Sequence, residues 1–311
     1  MKINQNFFDE NRSKKIYYDF ISKGYKSIIN KFNIEKKYYR DVAIPLALGL
    51  DRLSNKKPLK IYISGGQGSG KTTLSIILKH FLEKYLAKRV VTFSIDDLYL
   101  SKEDRLELAQ NVHPLLKTRG VPGTHDIEHG IKIIKSLSLK NSKKTLIPKF
   151  SKEFDDLIDK NKWNVFIGIP DIIIVEGWCM GAKPMKFDFW EGPINSLEEK
   201  FDPNGFWSKW VNQKLANNYQ VFFNMFDLSI YIQSNNFSEI IKNRISQEKN
   251  AINFSKSKDG YMSENQIINF VMHFERISKS MFRYMPKKSN IVIERDIKGR
   301  FSIIKLIKKL I

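Results

Sequence analysis

Cysteine is all but missing from this chain of 311 residues: Cys179 stands alone. No internal disulfide can form, and a reducing cytoplasm suits such a chain. Long apolar runs are missing as well. No stretch reaches the roughly 18 uncharged apolar residues that a membrane span needs. The start, Met1 to Asp9, has no apolar signal core, so secretion is not expected. Internal repeats and low-complexity tracts are absent. Acidic residues are in deficit, 33 against 53 Lys and Arg, which gives a formal net charge of +20. The surplus is spread along the chain: the first 60 residues carry 14 basic and 6 acidic groups, and no long block of like charge occurs. Lys and Asn at polar positions and Ile at apolar ones fit biased codon usage better than a built basic patch. Neither nucleic acid nor membrane is therefore expected as a partner; anionic metabolites in a basic cleft are.

What is present supports a packed core. Hydrophobic residues make up 42% and aromatics 13%, which excludes a mainly disordered chain. The length fits one large α/β domain with additions, or two domains. Residues 1–57 read as a mostly helical N-terminal extension packed on the main domain, with Phe7, Ile16, Phe20, Ile28, Ile29 and Ile44 to Leu50 as apolar faces. Residues 58–311 read as the main domain. Strands are expected at 60–64, 89–95, 171–175, 228–233 and 291–295, and helices near 126–138, 207–218, 237–249 and 264–284. The segments 140–170 and 180–206 look irregular. Leu74, Ile77, Leu78, Phe81, Leu82 and Tyr85 recur at helical spacing with one buried stripe. Strand, glycine loop, helix and strand thus follow in order over 60–95, as in a βαβ unit with a parallel pair.

The glycine loop is Gly65-Gly66-Gln67-Gly68-Ser69-Gly70-Lys71-Thr72-Thr73. It fits the P-loop pattern, which average composition produces by chance in roughly one chain in a hundred of this length. Glycines let the backbone N–H groups point at phosphate oxygens, and the following helix adds its positive end. Lys71 brings an ammonium to the β- and γ-phosphates, and the Thr72 hydroxyl suits Mg²⁺. The next strand ends in Asp96 and Asp97, at the sheet edge where ligands sit in open parallel sheets. A carboxylate there cannot bind a γ-phosphate, but it can hold and deprotonate an attacking hydroxyl. Asp96 is the first choice for that role and Asp97 the second, with helix or loop capping as the alternative for both. Ile172 to Glu176 is a hydrophobic strand ending in an acid, the Walker B pattern, which places Glu176 near Mg²⁺.

These segments, together with Arg119-Gly-Val-Pro-Gly-Thr-His-Asp126, Ile147-Pro-Lys-Phe150 and Asn243-Arg-Ile-Ser-Gln-Glu248, resemble the D-glycerate 3-kinase family, P-loop relatives of uridine kinase, phosphoribulokinase and pantothenate kinase. The resemblance covers most of residues 58–296. It implies a P-loop NTPase-type parallel sheet flanked by helices, with a helical lid at about 237–262. It also implies ATP- and Mg²⁺-dependent phosphorylation of D-glycerate to 3-phospho-D-glycerate. By motif position it makes Asp96 the base, Glu176 the Walker B acid and Arg244 the lid arginine. Two positions depart from the family pattern: Leu98, where an aromatic is usual, and Ser151, where Asp is frequent. Read from the residues alone, a small hydroxy-acid needs cations for its carboxylate. Arg119 can bind one bidentately, with His125, Lys149 and Arg244 as supplements. The turn at Pro122-Gly123 presents Thr124 and His125, and Asp97 and Tyr99 complete the expected acceptor side. Other small hydroxyl acceptors, or a nucleic-acid-stimulated NTPase, are the competing functions.

Overall fold

The apolar runs become strands in a computed structural model that describes residues 9–24, 34–54, 58–139, 144–186, 190–234, 236–254, 262–295 and 301–306. In chain order the strands are β1 (Leu59–Gly65), β2 (Val90–Ser94), β3 (Lys144–Ile147), β4 (Phe150–Ser151), β5 (Asp156–Leu157), β6 (Asn164–Ile167), β7 (Ile172–Gly177), β8 (Leu228–Gln233), β9 (Ile291–Arg295) and β10 (Phe301–Leu306). The main sheet runs β10-β9-β8-β1-β7-β2. All its pairings are parallel except β10 against β9.

Both faces of this sheet are covered, so β7, an inner strand between β1 and β2, is apolar at every position from Ile172 to Val175 rather than at every second one. The two-residue period survives as a division of labour. Ile172 and Ile174 of β7 join one core, whereas Ile173 and Val175 join the other. β1 lies between β7 and β8, and its carboxyl end feeds the glycine loop and the helix Lys71–Leu86. Leu74, Ile77, Leu78, Phe81 and Leu82 of that helix pack on the first core. The described part of the N-terminal extension forms helical turns at Glu10–Gly24 and Lys36–Leu53. Phe20, Tyr39, Val42, Leu46, Leu48 and Leu50 from it are buried in that same core. Phe7, Ile28, Ile29 and residues 55–57 lie outside the described residues.

Several sequence expectations change. The helical pattern over 264–284 is two helices, Glu264–Met272 and Glu275–Lys288. The break falls at His273, whose ring Nδ1 meets the carbonyls of Asn269 and Phe270, and at Phe274, whose ring packs on Trp178. The segment 140–170 is not simply irregular. β3 pairs with β6 and β4 with β5, both antiparallel. Neither pair has the short Asn-Gly type of turn that signals a hairpin. Within 180–206, Ser196–Phe201 is a short helix capped by Asn195. β10 has no counterpart in the sequence expectations. Among the described residues, no helix is long and apolar enough to cross a membrane.

Phe20 tests whether the extension and the sheet fold as one unit. Its fully buried ring lies 5.0 Å from those of both Tyr39 and Phe81. Phe20→Ala is expected to cost about 3–5 kcal/mol. In urea titrations, tryptophan fluorescence, whose reporters all lie beyond residue 162, should shift together with circular dichroism. An unshifted fluorescence transition would make the extension a separate unit.

Candidate active site

The carboxyl ends of β1, β7 and β2 lie flush. Glu176 stands opposite Ile63 on one side and Ser94 on the other. The loop after β1, the acid ending β7 and the turn after β2 therefore share one sheet edge. They wall a cavity of about 430 Å³.

The loop's shape depends on missing side chains. A Cβ on Gly65 would sit 2.8 Å from the Ile232 carbonyl oxygen of β8. Gly68 has φ +69°, and a Cβ there would meet the Asn243 backbone at 2.9 Å. Gly70 is the N-cap of the helix Lys71–Leu86 and gives no side-chain cap, so the first helical N–H groups stay open to an anion. Lys71 is buried and donates to the Gly66 carbonyl at 2.8 Å. Burial lowers its pKa, partly offset by Glu176 and Asp96. The Thr72 hydroxyl donates to Glu176 Oε1 at 2.6 Å. Burial raises the Glu176 pKa against the pull of Lys71. An inward ammonium, a helix N-terminus and a hydroxyl–carboxylate pair fit a triphosphate and Mg²⁺. The buried Asn243 Nδ2 on the cavity wall, which has no hydrogen-bond partner among the described residues, fits it too.

Facing this loop is Asp96. Its Oδ1 accepts from the Tyr99 hydroxyl at 2.8 Å, and its Oδ2 lies 2.9 Å from Lys152 Nζ. Burial opposes its ionisation, but Lys152 and Tyr99 win and hold the carboxyl below the usual range. Lys152 rises in turn, chiefly through Asp96. Arg119 reaches the same cavity between the rings of Phe150 and Phe270, paired with Asp155. From the opposite wall, the helix Phe237–Phe254 contributes Asn243, Arg244 and Gln247. Arg244 is paired at 2.5 Å with Glu248, whose other oxygen accepts from the Met262 backbone. Residues 255–261, the rest of the expected lid loop, lie outside the described residues.

The expected site residues thus divide. Gln67, Gly68, Gly70, Lys71, Thr72 and Thr73 line the cavity, as do Asp96, Tyr99, Arg119, Glu176 and Arg244. Gly65, Gly66 and Ser69 shape the loop without lining it. Four acceptor-side expectations are corrected. Asp97 turns away, accepting from the Ser94 and Phe150 backbones as a cap. Thr124 is fully buried, its hydroxyl closing the turn between Gly120 and Val121. His125 stacks behind Tyr99 at 4.7 Å and bonds Tyr219, and burial drops its pKa to about 4, so it is neutral at pH 7. Lys149 is exposed and off the cavity wall. Lys152 takes the place expected of Lys149. No motif marked it, because the turn that aims it uses Asp155 at φ +54° instead of a glycine.

Known proteins are similar to this chain in sequence and fold. No protein-family model matches the chain. An uncharacterized kinase of Schizosaccharomyces pombe is 30% identical over 234 residues, which is 70% of this chain and 79% of the relative. The structure of D-glycerate 3-kinase from Cryptococcus neoformans superposes with a TM-score of 0.67 at 25% identity, covering 84% of this chain and 96% of that one. The chain belongs to the glycerate-kinase family of P-loop kinases. The chloroplastic D-glycerate 3-kinase of Arabidopsis thaliana is 29% identical over 239 residues, 74% of this kinase and 48% of the plant protein. The kinase therefore spans about half of that relative's length.

The buried cap Asp97 gives a test by pH. Burial raises its pKa to about 6, above the ordinary carboxyl value of 3.8. The folded kinase then holds this proton more tightly than the unfolded chain, so stability is lost as the pH rises through that window. Asp97→Asn cannot titrate. Its Tm relative to the wild type should climb between pH 4 and pH 7; a constant or falling difference would contradict the assignment.

Proposed function

We propose that this kinase transfers the γ-phosphoryl group of ATP to the 3-hydroxyl of D-glycerate. One observation carries the reading: Asp96 lines one small cavity together with Lys71 of the glycine loop and with two further cations, Arg119 and Lys152. A base between a phosphate cradle and a carboxylate-binding pair suits a hydroxy-acid acceptor. A nucleoside would have no use for both cations, and about 430 Å³ suits a small molecule rather than a nucleic-acid strand.

In this scheme the glycine loop and Lys71 hold the triphosphate. Thr72 and Glu176 would hold Mg²⁺, which supplies positive charge beside the phosphate oxygens when bound. Arg119 and Lys152 take the acceptor carboxylate and turn its primary hydroxyl toward Asp96. Asp96 orients that hydroxyl and accepts its proton as the oxygen attacks phosphorus in line. The bond to the bridging oxygen breaks, and its electron pair leaves with ADP. Arg244, on a helix that acts as the lid, exchanges Glu248 for the transferring group. A reducing compartment such as the cytoplasm suits the buried Cys179.

The test is acceptor screening by ADP release with product identification, across D-glycerate, L-glycerate, pantothenate and nucleosides. D-glycerate should give 3-phosphoglycerate. Lys71→Ala should abolish turnover, and Asp96→Asn should lower kcat by about 10²–10⁴-fold. Preference for a neutral acceptor would overturn the substrate reading. Near-normal turnover of Asp96→Asn would overturn the base.

A further inference from the structure

Both cations on the acceptor side of the cavity are held by carboxylates of the chain itself. Arg119 is held by Asp155, a residue of the β4–β5 turn. Lys152, on the same turn, crosses the cavity to Asp96 Oδ2 at 2.9 Å. The turn is well anchored: the fully buried Arg105 binds the Asp155 carbonyl and carboxylate, and the Lys102 backbone donates to Asp156. The Lys152 side chain itself is 63% exposed, so its ammonium can move while its backbone stays fixed.

From this geometry we infer that Lys152 is a gate on Asp96: it restrains the carboxylate until an acceptor carboxylate takes Lys152 away. The inference rests on the kinase reading above and adds a switching step to it. With both oxygens engaged, by Lys152 and by Tyr99, Asp96 is a weak base toward any water in the acceptor's place. An acceptor carboxylate offers Lys152 and Arg119 a shared partner, and Asp96 loses its nearest positive charge. Its basicity rises with the acceptor hydroxyl in position. The proton passes from that hydroxyl to Asp96 and afterwards to solvent, while the new O–P bond forms and the bond to ADP breaks. ATP is thereby spared from water, and transfer is coupled to an acceptor that carries a negative charge.

The charged and titratable groups around Asp96 come from every element that shares its cavity or packs against it: Lys71 from the P-loop helix, Glu176 from β7, Cys179 after it, Asp97 and Tyr99 from its own turn, His125 behind Tyr99, Arg119 with its partner Asp155, Arg244 with its partner Glu248, and Lys152. Of these groups, Lys152 pairs with Asp96 itself and also acts through space on Lys71 and Glu176, so the double variant with Asp96→Asn is needed to assign its effect to Asp96.

The experiment compares Lys152→Met and Lys152→Arg with the wild-type kinase, each checked for an unchanged Tm. Two rates are read: ATP hydrolysis without acceptor, and phosphorylation of D-glycerate from pH 5 to 9. Lys152→Met should raise acceptor-free hydrolysis several-fold and move the acid limb of kcat/KM up by about one pH unit. It should also raise the KM for D-glycerate by about tenfold or more. Lys152→Arg should restore all three. The added hydrolysis should vanish in Lys152→Met with Asp96→Asn, showing that it runs through Asp96. Unchanged acceptor-free hydrolysis and an unmoved acid limb in Lys152→Met would overturn the gate. If D-glycerate is no substrate, the substrate reading falls alone, and the hydrolysis rates of the single and double variants still decide the gate.

Discussion

The flush parallel register of β1, β7 and β2 is the constraint on which the site depends. Ile63 stands opposite Glu176, and Glu176 opposite Ser94. Parallel strands end at the same edge, so three turns with unrelated sequences come within side-chain reach of one another. A shift of β7 by one residue would turn Glu176 to the other face of the sheet and part it from Thr72. The register is held by strands buried on both sides, with alternate residues of β7 divided between two cores. The apolar interior thus sets the position of the charged chemistry at its rim.

That rim concentrates charge in a poorly solvated place, which is costly unless every charge has a partner. Each cation of the cavity has one inside the chain. Lys71 uses the Gly66 carbonyl, Arg244 uses Glu248, Arg119 uses Asp155 and Lys152 uses Asp96. A triphosphate and an acceptor carboxylate supply the same kind of oxygen. In the proposed scheme, ligand oxygens take over these cations one for one, and the carboxylates that held them, Asp96 among them, give up their partners in exchange. The internal partners also keep the cations aimed into the cavity beforehand, which lowers the ordering cost of binding. In the sheet-covering direction, the helix that starts at Gly70 is fixed from behind by Phe20 and Tyr39 of the extension through Phe81.

The phosphate-loop side of the cavity was legible in the sequence; the wall around Lys152 was less so. Gly65 to Thr73, Asp96 and Glu176 are local signals, each a short pattern at a strand end, and local patterns survive in a linear reading. All five parallel strands of the main sheet were readable for the same reason, being short runs rich in Ile, Val and aromatic residues. Arg119 was readable as a cation beside a tight turn. Asp97, Thr124 and His125 looked like ligands because they are polar and adjacent to the right residues. What decides them is the direction of a side chain within a turn, which sequence spacing does not give. Asp97 caps its own turn, Thr124 closes another, and His125 faces Tyr219. Lys152 was invisible for the opposite reason. It reaches Asp96 only because β4 pairs with β5 around an Asp155 in a left-handed conformation, a turn with no glycine to announce it. The break at His273 was hidden because the apolar stripe continues in phase across it.

The central claim is that Asp96 meets an acceptor hydroxyl across from a nucleotide held by the glycine loop. A crystal structure of the kinase with ADP, aluminium fluoride, Mg²⁺ and D-glycerate measures this directly. The account predicts the planar fluoride beside Lys71, the acceptor's 3-hydroxyl within about 3 Å of an Asp96 carboxylate oxygen, and the acceptor's carboxylate on Lys152 and Arg119. An acceptor hydroxyl distant from Asp96, or a carboxylate bound away from both cations, would contradict it.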